Sequence, residues 1–356
     1  MVLKDKRVLV TGGTGSLGKV LVRRLLGGEM GEPRSVTVFS RDEAKQHSMR
    51  LAFQHKRTAT DEVIYHNFER LLRFRIGDVR DPHSVLTALG DADVVFNAAA
   101  LKQVPSCEYF PFEAVQTNIV GAENIIRAVR EHRLQVETVV GVSTDKACKP
   151  VNVMGMTKAV QERLFVRANL DGGETRFVCV RYGNVLASRG SVIPLFHEQI
   201  RRGGPVTITT TDMTRFLLSL EQAVDTVFAA VREARRGETY IPRVPSARVT
   251  DVAAALVGER SIETTVTGIR PGEKVHEILV SEEEGYRTIA RGDYYVIRPM
   301  LPELLGGDDE EASAATLGRE YSSADDLMTR EQVVELLEKH KLMVGDRFVY
   351  EEDMLA

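Results

Sequence analysis

Short β-branched runs alternate with longer helical patterns through the first half of the chain. RVLVT (7–11), VTVFS (36–40), LRFRIGD (72–78), DVVFNAAA (93–100), VETVVGVS (136–143) and TRFVCVRY (175–182) read as strands. Between them lie helical stretches at 17–26, with apolar residues at 17, 20–22 and 25–26, at 112–133 and at 152–169, and a long charged helical segment before residue 72. Strict alternation of strand and helix implies parallel pairing, right-handed crossovers and helices on both faces of one sheet. The expected fold is therefore α/β, a doubly wound parallel sheet.

After Tyr182 the rhythm breaks. Gly and Pro cluster at 183–194 and 201–206, a helical pattern returns from about 220 to 236, and 251–257 with GIRPGEKVHEILV (268–280) reads as a smaller lobe. GGDDEEASAAT (306–316) has the composition of a surface linker. Thr329 with Gln332 three residues on is a capping-box pattern, opening a last helix to about His340. The expected division is a dinucleotide domain of 1–182 and 219–243, interleaved with a substrate lobe of 183–218 and 244–302. A linker and helical tail (303–356) follow.

Composition narrows the class. With 356 residues, 43% hydrophobic and 28% charged, the chain can bury a sizeable core without staples. Cys107, Cys148 and Cys179 are few and far apart, and the eight histidines form no ligand spacing, so neither a disulfide framework nor a metal site is expected. The N-terminus runs straight into a strand, no run approaches the ~18 apolar residues of a membrane span, and a net charge of −4 disfavours nucleic acid or a polybasic membrane surface. The expectation is a reduced, soluble, cytoplasmic protein with neither nucleic-acid nor membrane partners.

VLVTGGTGSLGKVL carries Gly12, Gly15 and Gly18 directly after a strand and opening a helix, with Thr14, Ser16 and Leu17 between and beside them. Gly12 allows the tight turn, Gly15 lets the backbone approach a pyrophosphate and Gly18 permits close helix–strand packing, the Rossmann arrangement for a dinucleotide. At the end of strand two, where an acid would favour NAD, stand Ser40 and Arg41, with Lys45 one turn on; these donors suit the 2′-phosphate of NADP. Asp42 could turn inward, which keeps NAD as the less favoured choice. Asp78 and Val79 follow strand three, at the usual place of the adenine.

Strand five ends in Ser143-Thr144-Asp145-Lys146, at the carboxyl edge where such sheets bind ligands. Met154 and Lys158 then occupy the spacing at which short-chain dehydrogenases place Tyr-x-x-x-Lys, one helical turn apart. Methionine cannot move a proton. Either the chain is inactive or another group handles that proton, and the Asp–Lys pair favours a rewired enzyme.

The chain resembles the bacterial UDP-N-acetylglucosamine 4,6-dehydratases of polysaccharide biosynthesis, within the extended short-chain dehydrogenase/reductases. The likeness is greatest to the soluble, C5-inverting capsule and O-antigen enzymes of the CapE and FnlA type. It rests on TGGTGSLG (11–18), FSRDEAKQ (39–46), GDVRD (77–81), AALKQVPSCEYFP (99–111), STDKA (143–147), NVMGMTK (152–158), RYGNVLASRGSVIPLF (181–196), TITTTDMTRFL (207–217) and RPGEK (270–274). The methionine is part of the likeness, since a branch of the family carries MxxxK. The stretch 55–71 exceeds the family's usual connection and has no assigned role.

The resemblance implies oxidation at C4 of the sugar by NADP, removal of the acidified C5 proton, loss of the 6-hydroxyl as water and reduction at C6. It casts Lys146 as base, Asp145 as acid, Thr144 as a partner of O4, and Lys158 as holder of the nicotinamide ribose with a part at O4. Ala98 and Ala99 would flank the cofactor. Lys102, Asn184, Arg189, Ser191, Arg215, Arg270 and Glu273 would hold the nucleotide sugar. Lysine acting as base must be neutral, and partial burial beside a cationic cofactor would favour that. Cys107 and Cys148 read as space-filling thiols, and the stripe Val115, Ile119, Ala122, Ile126 as core or subunit contact. Relatives form hexamers or smaller assemblies, which implies a homo-oligomer. A 4-epimerase or reductase, a C5-retaining dehydratase and a non-catalytic NADP-binding protein are the competing readings.

Overall fold

The computed structural model describes residues 1–54, 62–186, 191–305 and 316–346. Arg189 and nearly all of the acidic stretch 306–316 lie outside the described residues; of the segment 55–71, only the helix Glu62–Leu71 is described.

The expected alternation is present. Strands β1 (Arg7–Thr11), β2 (Ser35–Ser40), β3 (Leu72–Ile76), β4 (Val94–Asn97), β5 (Thr138–Val142) and β6 (Arg176–Val180) are joined by helical crossovers. Short strands β7 (Val206–Ile208) and β8 (Thr214–Phe216) precede β9 (Thr239–Pro242), followed by β10 (Ser246–Arg248), β11 (Thr264–Val266) and β12 (Ile278–Val280). The series ends with β13 (Thr288–Arg291), β14 (Tyr294–Ile297) and β15 (Tyr321–Ser322). Nine of these form one sheet in the order β13-β14-β9-β6-β5-β4-β1-β2-β3. Every pairing from β3 to β9 is parallel, and β14 and β13 close the far side antiparallel. β1 pairs with β2 on one side and β4 on the other, so the winding reverses there and a crevice opens beyond the strand ends.

All residues of β4 and β5 are buried because helices cover both faces. One face packs Val20, Leu21 and Leu25 of the helix Ser16–Leu26 with Val224, Val227 and Phe228 of the helix Leu220–Glu233. The other packs Val85 and Leu89, Ile125 and Ile126, and Phe165. The long pattern at 112–133 is a composite: Pro111–Ala114 and Gly121–Glu131 are α-helical, and Val115–Val120 is a π turn. That wider turn carries buried Asn118, which bonds the backbone N–H and C=O of Leu101 and the Thr157 hydroxyl. Within the stripe, Ala122 and Ile126 are buried while Val115 and Ile119 are only half-buried.

The expected division needs two changes. Residues 288–297, assigned to the substrate lobe, are β13 and β14 of the main sheet, where they pair onto β9 and cover what would be its edge. The tail is not an appendage either. Thr329 and Gln332 form the expected capping box, and the helix Arg330–Lys339 buries Val333 and Leu337 in the small-lobe core with Val252, Leu256 and Phe196. A fourth cluster of Phe216, Ile241, Leu279, Val280, Ile297 and Tyr321 draws from both parts, so sheet and lobe share a core.

Candidate active site

A cleft of about 880 Å³ runs across the carboxyl ends of β1, β4, β5 and β6. Its lining includes Gly12, Thr14, Gly15, Ser16, Leu17, Gly18, Ser40, Arg41, Lys45, Asp78, Val79, Ala98, Ala99 and Lys158, all the residues expected to hold a dinucleotide.

The glycine loop has the required geometry. Gly12 has φ +68, and a β-carbon there would lie 2.7 Å from the backbone nitrogen of Ala99. A β-carbon on Gly18 would lie 2.5 Å from Gly13 Cα, which is how closely helix and loop pack. The helix Ser16–Leu26 begins with no side-chain cap and no acid in its first turn, so its N–H groups and dipole face the cleft. The Ser16 hydroxyl is buried there without a hydrogen-bond partner. A phosphate fits these donors. At the end of β2, Arg41 is largely exposed and reaches 3.7 Å from Asp78, while Lys45 lies 3.2 Å from Asp42. Asp42 also lines the cleft.

The other half of the cleft holds Thr144, Asp145, Lys146, Met154 and Lys158. A single 3₁₀ turn (Asp145–Ala147) follows β5. The Thr144 hydroxyl donates to Asp145 Oδ1 at 2.8 Å and accepts from the Lys146 N–H at 3.4 Å. Lys146 Nζ donates to the same Asp145 oxygen at 3.0 Å and to Asn184 Oδ1 at 3.1 Å, and Glu277 Oε1 lies 3.5 Å away. Asp145 is buried, and its Oδ2 has no partner. Acid and amine therefore sit in hydrogen-bond contact at the cleft wall, each able to take or give a proton.

Lys146 is charged in the free protein. Burial alone would lower its pKa, but Asp145 and Glu277 outweigh burial and raise it above the usual lysine value, so the free protein holds an ammonium here. Asp145 is the larger cause and Glu277 the second; Glu277 lies 131 positions along the chain and no local pattern links it to Lys146. Lys158 shows the opposite behaviour. Burial depresses it to about 8, and Nζ donates to the Val142 carbonyl at 2.5 Å and to Gln161 Oε1 at 2.7 Å.

Backbone fit sets the turn against its neighbouring helix. A β-carbon on Gly155 would lie 2.1 Å from the Lys146 carbonyl oxygen, so the helix Val153–Ala168 touches the turn with bare backbone. Asn152 caps that helix through the Gly155 N–H and donates to the Gly272 carbonyl at 2.9 Å. Lys274 donates to the Cys148 carbonyl at 2.6 Å. The RPGEK segment thus braces the turn Asp145–Ala147. Behind it, buried Arg181 pairs with Glu162 and Glu284; Ser143 donates to Glu162, and Cys148 lies 3.7 Å from Glu284. Burial opposes the Arg181 charge, but the two carboxylates raise its pKa well above the ordinary value.

Lys102, Asn184 and Ser191 line the cleft. Ser191 opens the helix Val192–Arg201 with a buried hydroxyl that has no partner. Arg215 is not among the lining residues: its guanidinium donates to the carbonyls of Thr214 and Val275 and lies 3.7 Å from Glu277. Arg270 is exposed and Glu273 half-buried, both outside the lining. Cys107 and Cys148 are buried with thiol pKa values raised by burial, to about 11 and about 12, which makes them packing groups. Tyr182 lines the cleft and was not anticipated, although its place before Gly183-Asn184 at the end of β6 was a usable signal.

Residues 8–299 match a family described as polysaccharide biosynthesis protein. A Campylobacter jejuni protein named UDP-N-acetylglucosamine 4,6-dehydratase (inverting) is 41% identical over 90% of this chain and 90% of its own length. A Rickettsia bellii protein named UDP-glucose 4-epimerase is 42% identical over 83% of each. An uncharacterized membrane protein, MJ1061, of Methanocaldococcus jannaschii is 44% identical over 83% of this chain and 86% of its own. Among described residues of this chain, no helix is long and apolar enough to cross a membrane. The crystal structure of Pen from Bacillus thuringiensis superposes with a TM-score of 0.84 at 35% identity, over 96% of this chain and all of that one.

Proposed function

The chain belongs to the polysaccharide biosynthesis protein family, an extended short-chain dehydrogenase/reductase enzyme family, and from that premise we propose that it is an NADP-dependent UDP-N-acetylglucosamine 4,6-dehydratase that inverts C5. The product is a UDP-2-acetamido-2,6-dideoxy-4-hexulose plus water, for capsule, O-antigen or other glycan synthesis. The observation that carries this reading is the Asp145–Lys146 contact of 3.0 Å beside Lys158 in a cleft built for a dinucleotide. Epimerisation at C4 has no use for such a pair.

The bound nicotinamide supplies oxidation at C4 and the returning reduction at C6; Gly12, Gly15 and the Ser16 helix end would hold its pyrophosphate, and Arg41 with Lys45 the 2′-phosphate. Lys158, close to neutrality at about 8, takes the O4 proton that tyrosine handles in other members of the superfamily. Thr144 orients O4. The ketone at C4 acidifies the C5 proton, which Lys146 removes while Asp145 protonates the departing 6-hydroxyl; as C6 is reduced, C5 takes a proton on the face opposite the one that lost it. Those roles require a neutral amine and a neutral acid. A proton moving along the existing Lys146–Asp145 hydrogen bond converts the ion pair to that state, and exclusion of water by the sugar favours it. Asn184, Lys102 and Ser191, with the N-terminus of the helix Val192–Arg201, face the sugar and its diphosphate. Arg189, Arg215, Arg270 and Glu273 complete the proposed set from the small lobe.

Incubation with UDP-N-acetylglucosamine and mass spectrometry tests the reading: loss of one water is expected, and proton NMR of fresh product should show the inverted L-arabino ring. The Rickettsia relatives favour a second reading, 4-epimerisation of a UDP-hexose; unchanged mass with altered C4 would replace the first by it. Lys146→Ala should abolish dehydration while NADP still binds, and near-normal turnover would remove the mechanism. A cytoplasmic homo-oligomer belongs to the same reading. Three buried free thiols support the reducing compartment, and fractionation against the membrane-labelled archaeal relative checks it.

A further inference from the structure

Glu277 is contributed by the small lobe, immediately before β12, and none of the sequence motifs assigned it a role. Its backbone is clamped on both sides by β15's neighbour Ser323: the Glu277 N–H donates to the Ser323 hydroxyl at 2.9 Å, and its carbonyl accepts from the Ser323 N–H at 2.8 Å. The side chain is 4% exposed and carries its carboxylate to 3.5 Å from Lys146 Nζ and 3.7 Å from Arg215 Nε. Oε2 is buried with no hydrogen-bond partner. A buried carboxylate held this firmly, with one oxygen free, is costly to keep unless its charge is used.

We propose that Glu277 is a positioning residue for Lys146: it fixes the amine at the cleft wall and stabilises the ammonium that forms when Lys146 takes a proton. The inference rests on the base role given to Lys146 above. Nζ donates to Asp145 on its own turn and to Asn184 after β6, and Glu277 from the lobe completes its surroundings as an ion-pair partner at 3.5 Å. Arg215, on β8, faces the group as a cation and opposes the two carboxylates. An amine between two carboxylates is a stronger base towards carbon but passes its own proton to Asp145 less readily. The lobe that would bind the nucleotide thereby sets the strength of the base on the sheet.

The test compares wild type with Glu277→Gln and with Glu277→Asp, which keeps the charge but draws it back by one methylene. Lys146 is 23% exposed at its side chain, so competitive acetylation with acetic anhydride, followed across pH by peptide mass spectrometry, reports its titration without using activity. Glu277→Gln should lower the labelling midpoint by about one unit, with Glu277→Asp between it and wild type. Turnover of UDP-N-acetylglucosamine by Glu277→Gln should fall ~10-fold in kcat with KM within about twofold, and its pH limb should move with the labelling midpoint. Equal midpoints in wild type and whichever variants fold, judged by circular dichroism, overturn the proposal. A shifted midpoint in an enzyme that forms no dehydrated product instead overturns the dehydratase reading and keeps Glu277 as the group that governs Lys146.

Discussion

Two lysines twelve positions apart receive opposite treatment from their surroundings. Lys146 meets two carboxylates and stays charged; Lys158 meets only neutral acceptors, Val142 O and Gln161 Oε1, and burial depresses it to about 8. The Lys158 charge is favoured in the unfolded chain, so between about 8 and an unfolded value of ~10.4 the unfolded state binds more protons. Stability therefore rises with pH across that window as far as Lys158 is concerned. On the proposed mechanism, activity follows the same group. With Met154 buried beside Cys107 and Ala114 in place of a phenol, kcat/KM for dehydration should climb with unit slope through pH ~8 as Lys158 loses its proton. Lys158→Met should remove that limb and lower kcat ~10²–10⁴-fold. A wild-type profile flat between pH 7 and 9 would assign the O4 proton to another group.

At the scale of elements, the turn Asp145–Ala147 is placed by backbone contact more than by its own side chains. Gly155→Ala would drive a β-carbon to 2.1 Å from the Lys146 carbonyl, so the turn or the helix Val153–Ala168 must move. A displacement near 1 Å at reacting groups costs about 10²-fold in rate; kcat should fall by that order while NADP affinity, measured by fluorescence titration of the reduced cofactor, stays within a few-fold. Equal kcat would mean the turn tolerates repositioning. Thr329→Ala is the contrasting change. It removes a cap from a helix far from the cleft and should lower stability by ~1 kcal/mol with kcat intact. The glycine loop, the Asp145–Lys146 pair and the Met154–Lys158 spacing were legible because each is a local pattern on one strand–helix junction. Gly155 sat inside a recognised motif without a visible reason, since its neighbour, the Lys146 carbonyl, is fixed only by tertiary packing. Glu277, Arg181 with its two carboxylates, and the docking of β13 and β14 onto β9 were not legible. Each joins segments from tens to more than a hundred residues apart, and neither periodicity nor spacing carries that information. The π turn at Val115–Val120 was hidden for a different reason: its apolar spacing is close enough to α-helical that only the buried Asn118 betrays it.

For the whole molecule, the interleaving has a thermodynamic consequence. The main sheet includes β9, β13 and β14 from the second half of the chain, and the cluster of Phe216, Ile241, Leu279, Ile297 and Tyr321 belongs to sheet and lobe at once. The Arg181 pairs add a buried tie from β6's end to the helix Val153–Ala168 and the turn Glu282–Gly285, and losing one partner of such a pair leaves a buried charge uncompensated. Neither half keeps its core when the other opens. Thermal unfolding should therefore show one transition, with circular dichroism and exposure of the buried thiols Cys107, Cys148 and Cys179 coinciding. The dinucleotide cleft is lined from both sides, by the glycine loop and by Asn184 and Ser191, so a ligand binding it should move that single transition as a unit. NADP at 100 times its Kd adds about 2.7 kcal/mol. On the proposed placement of Arg41 and Lys45 at the 2′-phosphate, NADP should raise Tm further than NAD at equal concentration. Two separated transitions, or a shift confined to one of them, would show that the lobes unfold independently despite the shared core. Equal shifts with both cofactors would leave Arg41 and Lys45 as surface charges and return Asp42, which also lines the cleft, to the ribose.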